Sequence, residues 1–265
     1  MSGERELMEA VRSAAELIVS SEYVIALTGA GISVESGIPP FRGPGGIWTK
    51  YGEPPPDQYQ EFLRDPKGWW ERRLKRELEG PTGEMVRKIY EAKPNLAHKA
   101  LAELEEMGIL KSIITQNIDG LHQKAGSKNV IEIHGNIYKL RCISCNARFD
   151  RDKFEIKELP PLCPNCGGLV KPDVVYFGEP IPPDMLNASL LEVYKCDCML
   201  VVGTSAVVYP AAGFPIAAKR RGAFLIEVNP YETSISHICD VVLREAAGKA
   251  LPLVVQEVRR LLARR

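Results

Sequence analysis

The sequence predicts an α/β protein built on a parallel, doubly wound sheet, to which a second, smaller unit is attached. Short apolar runs rich in β-branched residues end near positions 27, 115, 133, 203 and 228, and each leads into a glycine or a polar side chain. Segments with helical periodicity or insertions separate these runs, which is the alternation that a parallel sheet requires. Two Cys-x2-Cys pairs interrupt the pattern and indicate the smaller unit.

Composition favours an ordinary globular protein. The 265 residues include 34 basic and 34 acidic side chains, so no net charge attracts nucleic acid or an anionic membrane. Residues 1–21 alternate charged and apolar side chains at helical spacing, unlike the continuous apolar core of a signal peptide. The most apolar later stretch, 201–218, is broken by two prolines and does not predict a membrane span. We therefore expect a cytoplasmic protein without direct nucleic-acid or membrane contacts.

The first strand is predicted at residues 23–27, directly before the segment Thr28-Gly-Ala-Gly-Ile-Ser33. Glycines at such a turn let backbone N–H groups and a helix N-terminus approach a pyrophosphate, which indicates a Rossmann-type dinucleotide site. The fingerprint is partial, because Val34 stands in the place of the third glycine and no acidic residue ends a second strand about 20 residues later. A tight strand-to-helix turn without a ligand is the alternative interpretation.

Residues 36–56 are rich in glycine and proline and predict an ordered but mobile loop. Its large side chains, such as Phe41 and Trp48, need a surface to pack on, and a bound ligand would supply one. Arg42 in the same loop is suited to a phosphate or a carboxylate, although a surface arginine is the simpler explanation. Helical signals from residue 58 to 107 then predict an inserted helical module.

The most polar strand end follows the β-branched run that stops at position 115. Gln116, Asn117 and Asp119 offer donors and acceptors suited to ribose hydroxyls or a carboxamide. His134 follows the next predicted strand and can accept a proton near neutral pH. Ligands bind at the carboxyl ends of strands in open α/β sheets, so these are candidate site residues. Taken alone, the segment is equally compatible with an Asx-rich turn and a satisfied histidine.

Four of the seven cysteines form two pairs with the spacing of a zinc ribbon. The pairs are Cys142 with Cys145 and, seventeen residues later, Cys163 with Cys166. A single Cys-x2-Cys is compatible with a redox pair, but two pairs at this spacing predict one structural zinc ion, because four thiolates leave no coordination position open. The other cysteines, Cys196, Cys198 and Cys239, lie among apolar residues and are predicted to be core side chains.

Three further strands and a closing helix complete the predicted sheet. The strands cover residues 198–203, 223–228 and 240–243, and an amphipathic helix covers residues 251–262. The first of these strands enters a Gly203-Thr-Ser205 turn, and the second ends at Asn229. Both therefore add polar groups to the predicted ligand-binding edge.

Taken in order along the chain, these motifs strongly resemble the Sir2 (sirtuin) family of NAD-dependent protein deacylases. The motifs are Gly29-Ala-Gly-Ile-Ser33, Gly37-Ile-Pro-Pro-Phe-Arg42, Thr115-Gln-Asn-Ile-Asp-Gly-Leu-His122, His134-Gly135, the two cysteine pairs, Gly203-Thr-Ser205 and Val228-Asn229. The resemblance implies a Rossmann-type NAD-binding domain of residues 1–44, 108–137 and 177–265. It further implies a small domain, formed by a helical insertion at 45–107 and the zinc ribbon at 138–176, and a cleft between the two domains.

The same resemblance implies roles for individual residues. Around the phosphates and the nicotinamide ribose it places Gly29, Ala30, Ser33, Phe41 and Arg42. Contacts to ribose and nicotinamide are implied for Gln116, Asn117 and Asp119, and contacts to the adenosine half for Gly203, Thr204, Ser205 and Asn229. An acyl-lysine peptide would pair as an added strand with residues 174–179, which include Val174, Phe177, Gly178 and Glu179.

The reaction implied by the family transfers an acyl group from lysine to ADP-ribose. The acyl oxygen attacks the nicotinamide ribose, nicotinamide leaves, and His134, acting with Asn117, serves as general base on the ribose hydroxyls. Water then releases the lysine, so the products are nicotinamide, O-acyl-ADP-ribose and free lysine. NAD and zinc are therefore the expected cofactors. The expected partners are acyl-lysine proteins, with a chromatin protein or metabolic enzymes as candidates.

Two departures from the family pattern concern the acyl group. Pro40 stands where many members have aspartate, and residues 42–48 match the Arg-Gly-x-Gly-Gly-x-Trp run of a prokaryotic-type subgroup. That subgroup often prefers succinyl- or malonyl-lysine and uses a Tyr-x-x-Arg pair, for which this chain has Arg73 and Arg76. The two arginines are compatible with binding an acidic acyl chain and equally with a solvated helix face.

Two other functions remain open at this point. Mono-ADP-ribosyl transfer to a protein would consume NAD without needing an acylated substrate. A non-catalytic NAD or nucleic-acid binding module would use the ribbon instead. The combination of His134, Asn117 and Asp119 argues for an enzyme, and the balanced charge argues against nucleic acid.

Overall fold

The computed structural model describes residues 2–43, 45–76 and 80–264, which form two β-sheets. The described strands are β1 (Val24–Thr28), β2 (Leu110–Thr115), β3 (Val130–Glu132), β4 (Gly135–Cys142), β5 (Arg148–Asp150), β6 (Val170–Val174), β7 (Cys198–Val202), β8 (Phe224–Val228) and β9 (Val241–Leu243). A parallel six-stranded sheet has the order β3-β2-β1-β7-β8-β9, and an antiparallel three-stranded sheet has the order β5-β4-β6.

Helices cover both faces of the parallel sheet and one side of the small sheet. The described helices are α1 (Ser2–Ser20), α2 (Ile47–Tyr51), α3 (Gln58–Arg64), α4 (Pro66–Arg76), α5 (Gly80–Glu91), α6 (Leu96–Glu106), α7 (Leu121–Ala125), α8 (Pro183–Lys195), α9 (Gly213–Arg220) and α10 (Ala247–Leu262). Short 3₁₀ helices cover Ala30–Ser36, Arg151–Lys153 and Ser236–Ile238. Among the described residues, no helix combines the length and the apolar character needed to cross a membrane.

The strands of the parallel sheet are continuous apolar runs because both of their faces are covered. All five residues of β1 and all five of β7 are buried. Ala26 and Leu200 point into a core formed with α1, α6 and α10, whereas Leu27 and Val201 point into a second core formed with α8 and α9. This arrangement confirms the predicted doubly wound α/β fold.

The strand order reverses between β1 and β7, the two central neighbours of the parallel sheet. The chain leaves β1 towards β2 and β3 on one side, and it leaves β7 towards β8 and β9 on the other. A crevice opens at the carboxyl ends of the strands at such a reversal, and ligands of open α/β sheets bind there. The fold therefore directs attention to the turns that follow β1 and β7.

The small sheet and the helices before it share one core. Phe62 of α3 and Trp70 of α4 are fully buried against Leu140 and Val170 of the small sheet. The indole nitrogen of Trp70 also donates to the backbone oxygen of Val170 at 3.1 Å. The ribbon and the helical insertion, which are distant in sequence, thus form one structural unit.

Helix α6 falls within the predicted insertion of 45–107 but packs elsewhere. Its Leu101 and Leu104 are fully buried with α1 and α10 in the core of the parallel sheet. The helix leads through a short turn into β2, which keeps it against that sheet. We therefore propose that the insertion ends before Leu96 and that the domains otherwise divide as the family resemblance implies.

Candidate active site

The candidate residues that follow five strands gather at one edge of the parallel sheet, and most of them carry polar side chains. They are Gly29, Ala30 and Ser33 after β1, Gln116, Asn117 and Asp119 after β2, His134 after β3, Gly203, Thr204 and Ser205 after β7, and Asn229 after β8. Most of the side chains that can form hydrogen bonds are buried, although they lie at loop positions. Buried polar groups need partners, either within the protein or from a ligand.

The glycines after β1 and β7 are required by the close contact of two turns. The backbone nitrogen of Gly31 donates to the backbone oxygen of Gly203 at 2.8 Å. A Cβ atom on Gly203, whose φ is +61°, would lie 2.3 Å from the backbone nitrogen of Ile32. A Cβ atom on Gly29 would lie 2.7 Å from Cβ of Thr204. These glycines therefore let the two turns of the crevice pack on each other.

Asn117, Ser33 and Asp119 form a buried polar cluster beside the first turn. The Asn117 amide donates to the backbone oxygen of Gly29 at 3.0 Å and to Ser33 Oγ at 3.1 Å. Ser33 Oγ donates in turn to Asp119 Oδ2 at 2.7 Å. Burial raises the pKa of the Asp119 carboxyl, and bonds from the Leu121 backbone N–H and from Ser33 partly offset this effect. The cluster is pre-organised and rigid, as a binding site requires.

A second set of contacts joins the strand ends farther along the edge. Gln116 Nε2 donates to Thr204 Oγ1 at 2.9 Å, which connects the segment after β2 with the turn after β7. Asn229 Nδ2 donates to the backbone oxygen of Thr204 at 3.2 Å, which connects that turn with the end of β8. Thr204 is therefore the common contact of three strand ends.

His134 lies half-buried at the turn from β3 into β4. Its Nδ1 is 3.1 Å from the backbone oxygen of Gln116, an acceptor, so the proton of the neutral ring lies on Nδ1. Burial lowers the pKa of His134, and the hydrogen bond to Gln116 only partly offsets this. The neutral ring therefore has its lone pair on Nε2, which is the form that a general base needs.

The turn at His134 depends on the glycine that follows it. Gly135 has φ of +85°, and a Cβ atom there would lie 1.9 Å from the backbone oxygen of Asp173 on β6. Any other residue at this position would push β4 and β6 apart. The glycine thus fixes the distance between the histidine and the edge of the small sheet.

Two further histidines, His98 on α6 and His122 on α7, adjoin the polar cluster. Their ring centroids are 4.9 Å apart, and His122 Nε2 lies 2.9 Å from Thr28 Oγ1. Burial lowers the pKa of His98 to about 4. The pKa of His122 is lowered to about 3, mainly by burial and further by the nearby His98 ring. Both rings are therefore neutral at pH 7. Neither histidine was predicted from the sequence to be a site residue. Asn95 and His98 nevertheless have the spacing of a helix capping box, which the structure shows.

The loop before α2 packs on aromatic residues of the protein itself. The Phe41 ring lies 4.9 Å from Trp48, and Trp48 lies 5.5 Å from Phe177. The Arg42 guanidinium lies 4.5 Å from the Trp48 ring and pairs with Glu53 at 3.0 Å. The large side chains of this loop therefore pack on one another and on Phe177.

Phe41 also lines a small pocket that is partly open to solvent. The other lining residues are Ala30, Ser33, Ile38, Pro39, Ile89, Asn117, Ile118 and Asp119. The lining is therefore mostly apolar, with polar groups supplied by the Asn117 cluster. Such a pocket suits a flat ring that carries a polar substituent.

Residues 174–179 continue β6, which is an edge strand of the small sheet. The backbone nitrogen of Val175 donates to the backbone oxygen of His134 at 3.0 Å. On α4, the Arg73 guanidinium lies 5.5 Å from the Trp69 ring, which itself lies 5.5 Å from Tyr176. Arg73 is therefore stacked against the aromatic group that flanks this segment. The side chain of the other predicted arginine, Arg76, lies outside the described residues.

The four paired cysteines meet at the end of the small sheet. Their Sγ atoms all lie within 4.8 Å of one another, with 3.5 Å between those of Cys142 and Cys166 and 3.8 Å between those of Cys145 and Cys163. Four thiolates about 2.3 Å from one zinc ion would be roughly 3.8 Å apart. The cluster therefore fits a tetrahedral zinc ion with no open position.

Loss of this zinc should unfold the small unit, because Cys142 and Cys163 belong to the core that contains Phe62 and Trp70. We expect about one zinc per chain by atomic emission in the wild-type protein, and less than about a tenth of that in Cys163→Ala. When unfolding is followed by tryptophan fluorescence, the variant should also show no cooperative transition of the small unit. Cys196→Ala is the matched control and should keep its zinc, because it alters a buried cysteine in the core formed with α8 and α9. Full zinc content in Cys163→Ala would contradict the assignment.

Comparison with known proteins agrees with the motifs and the fold. The Sir2 family profile matches residues 29–210. The chain is 48% identical over 253 residues to the NAD-dependent protein deacylase of Pyrococcus abyssi (strain GE5 / Orsay), covering 94% of this chain and 98% of that protein.

Two solved structures extend the similarity to three dimensions. A crystal structure of a Sir2 homologue–NAD complex has a TM-score of 0.78 and 44% sequence identity, covering 94% of both chains. A structure of Sir2 with a p53 peptide and NAD+ has a TM-score of 0.70 and 38% identity, covering 94% of this chain and 95% of that one. With the family profile matching well over half of its length, this chain belongs to the Sir2 family.

Proposed function

We propose that this chain is an NAD-dependent protein-lysine deacylase in which His134 is the general base. Membership of the Sir2 family and the naming of its relatives as NAD-dependent protein deacylases support the activity. One observation carries the assignment of the base. The backbone of His134 is hydrogen-bonded to Val175, so a neutral imidazole adjoins an edge strand that is suited to bind a peptide.

The residues at the strand ends fit NAD. Asn117, Ser33 and Asp119 supply the polar groups of the pocket and suit a carboxamide, and Phe41 with Ile118 supplies apolar surface suited to the pyridine ring. The turns after β1 and β7 would hold the phosphates and the adenosine half, through Gly29, Ala30, Arg42, Gln116, Gly203, Thr204, Ser205 and Asn229. When bound, NAD supplies the ribose carbon that accepts the acyl oxygen.

The protein's own groups perform the proton transfer and exclude water. His134 Nε2 accepts a proton from a ribose hydroxyl, and the backbone oxygen of Gln116 stabilises the imidazolium through Nδ1. Asn117 holds the cofactor side of the site through its bonds to the Gly29 turn and Ser33. Phe41 covers the pocket and keeps water away from the reacting carbon.

The substrate peptide would add a strand beside β6, at the edge of the small sheet. Residues 174–179 extend the edge strand β6, and one of their sides is already bonded to His134. Backbone groups would provide affinity for any sequence, while Val174, Phe177, Gly178 and Glu179 would shape the groove. This arrangement suits an enzyme that recognises an acylated lysine in many protein contexts.

As part of this proposal, Arg73 determines which acyl group the enzyme prefers. Its position against Trp69, whose ring contacts Tyr176, brings a cation to the aromatic group beside the peptide segment. A guanidinium there would favour an acidic acyl chain such as succinyl. Arg76 is proposed to assist by the same chemistry.

The test is mass spectrometry of reactions containing purified protein, NAD and acetyl-, succinyl- or unmodified-lysine peptides. We expect O-acyl-ADP-ribose and nicotinamide to form in step with loss of the acyl group. Arg73→Met should lower kcat/KM for the succinyl peptide at least about tenfold more than for the acetyl peptide. Arg72→Met, which removes an exposed arginine on the same helix, is the control and should change neither.

Each contrary outcome has a definite meaning. ADP-ribose attached to protein, without loss of acyl groups, would replace the deacylase assignment with mono-ADP-ribosyl transfer. An equal loss of kcat/KM for both acyl peptides in Arg73→Met would refute the role of Arg73 and leave the deacylase assignment in place.

Chromatin proteins and metabolic enzymes remain the proposed targets, and the cytoplasm is the proposed location. All seven cysteines are free of disulfides, as a reducing compartment favours.

A further inference from the structure

Lys171 on β6 is a fully buried lysine next to the proposed peptide segment. Lysine is among the side chains that are least often fully buried, because removing its charge from water costs several kcal/mol unless the charge is paired. Its Nζ donates to the backbone oxygens of Pro172 at 3.0 Å and Val174 at 2.6 Å, and it pairs with Glu179 Oε2 at 3.0 Å. All three of its hydrogens therefore have partners within residues 172–179.

Glu179, the last residue of the segment 174–179, is the acidic partner of Lys171. Its side chain is only 2% exposed and pairs with both Lys171 and Arg141. Glu179 Oε2 accepts the backbone N–H of Tyr176 at 2.9 Å, and the backbone N–H of Glu179 donates to the Tyr176 oxygen at 2.9 Å. The Tyr176 ring lies 4.3 Å from Lys171 Nζ. The segment is thus folded around one buried ion pair.

The ion pair is anchored to both parts of the molecule. Arg141 and Arg148 on the small sheet share Asp173 at 3.1 and 2.9 Å, and Arg148 reaches Asp184 at the start of α8 at 2.7 Å. Three cations are balanced by three anions. Burial lowers the pKa of Lys171 to about 8, with Glu179 acting in the opposite direction, so the lysine is charged at pH 7.

A buried network of this kind is a poor way to obtain stability. Apolar residues of similar size often stabilise a fold as well as a buried ion pair does. What apolar residues cannot do is hold the backbone oxygen of Val174 and the backbone nitrogen of Tyr176 at set positions. These groups flank Val175, whose nitrogen is bonded to His134.

We propose that Lys171 and Glu179 are positioning residues for the peptide substrate, whose ion pair holds residues 174–179 in the conformation that accepts an added strand. The inference rests on the proposed function, because it takes this segment as the peptide site. It goes beyond that function by making peptide affinity, and not NAD affinity, depend on charges buried behind the groove. Neither side chain needs to contact the peptide.

The test measures binding directly, at pH 7. Anisotropy of a fluorescent acetyl-lysine peptide and calorimetry with NAD are compared for the wild-type protein, Lys171→Met, Glu179→Gln and the double variant. We expect the peptide Kd to rise about tenfold or more in all three variants, while the NAD Kd changes less than about twofold. The double variant should recover part of the melting temperature lost by the single variants, because it removes both members of the Lys171–Glu179 pair while Arg141 keeps Asp173 as its partner.

A purely structural role gives a different pattern. It predicts that the double variant regains peptide affinity along with stability, or that peptide and NAD affinities fall together, and either result would overturn the proposal. The matched control is Lys153→Met with Asp150→Asn, an exposed ion pair of the same small unit with an Nζ–Oδ2 distance of 2.8 Å. It should change neither Kd.

The same measurements separate this proposal from the proposed function. A wild-type protein that binds the acylated peptide but does not deacylate it would refute the function, and the variants would still decide the role of the ion pair. A wild-type protein that binds no acylated peptide would overturn the ion-pair proposal itself.

Discussion

Replacing His134 by alanine is expected to reduce turnover of an acylated peptide by about 10²–10⁴-fold, the usual contribution of a general base. The imidazole is held by Gln116 in the tautomer with a free Nε2, and burial keeps its pKa below the ordinary histidine value. The base is therefore mostly neutral at pH 6.5, so the midpoint of the acid limb of the wild-type pH–rate profile should lie below that pH. Steady-state kinetics with quantified O-acyl-ADP-ribose would measure both effects.

The fold and the NAD site should survive this substitution. His134 makes one side-chain hydrogen bond in the described structure, and its neighbours along the turn are held by backbone contacts. Melting temperature and NAD affinity are thus expected to stay near their wild-type values. His237→Ala, at an exposed histidine, serves as the control. Undiminished turnover in His134→Ala would remove the histidine from the reaction, and an unfolded variant would make its role structural.

Mild acid is expected to destabilise the protein by about 2 kcal/mol for each of His98 and His122 between pH 7 and pH 5. Their pKa values in the folded protein are about 4 and about 3, below the ordinary value near 6.5. In this range the unfolded chain takes up protons that the folded chain cannot accept. Stability is therefore complete above pH 6.5 and is lost as the pH falls. Urea unfolding at pH 7 and pH 5 would measure the difference.

Single substitutions assign this pH dependence to particular rings. His122→Gln should reduce the loss between pH 7 and pH 5 by about 2 kcal/mol, whatever its effect at pH 7. His237→Gln, at an exposed ring, should not reduce it. Equal free energies of unfolding at the two pH values in the wild-type protein would mean that the buried rings accept protons, contrary to the described packing.

Most strand ends could be predicted from local sequence, because each β-branched run stops at a glycine or a polar side chain. The predicted ends near 27, 115, 133 and 228 lie within one residue of β1, β2, β3 and β8. Gln116, Asn117 and Thr204 were recognised for the same reason, since polar side chains directly after apolar runs are conspicuous. The cysteine spacing likewise predicted a cluster whose geometry fits zinc.

Other features could not be predicted because their physical cause lies in residues far apart along the chain. Helix α6 has ordinary helical periodicity, and nothing local indicates which core it joins. The loop that contains Phe41 and Trp48 contacts Phe177 through Trp48, and Phe177 is more than a hundred positions away. Local patterns contain no information on such partners.

By itself the sequence determined the parallel α/β architecture, the family and the chemical groups of the site, because these follow from periodicity, spacing and residue type. Only the tertiary structure decided which groups are neutral, charged or held in place. His122 is neutral because other elements bury it, and Lys171 remains charged because Glu179 lies beside it. Burial and pairing depend on the assembled fold, and these two properties decide how the same side chains behave.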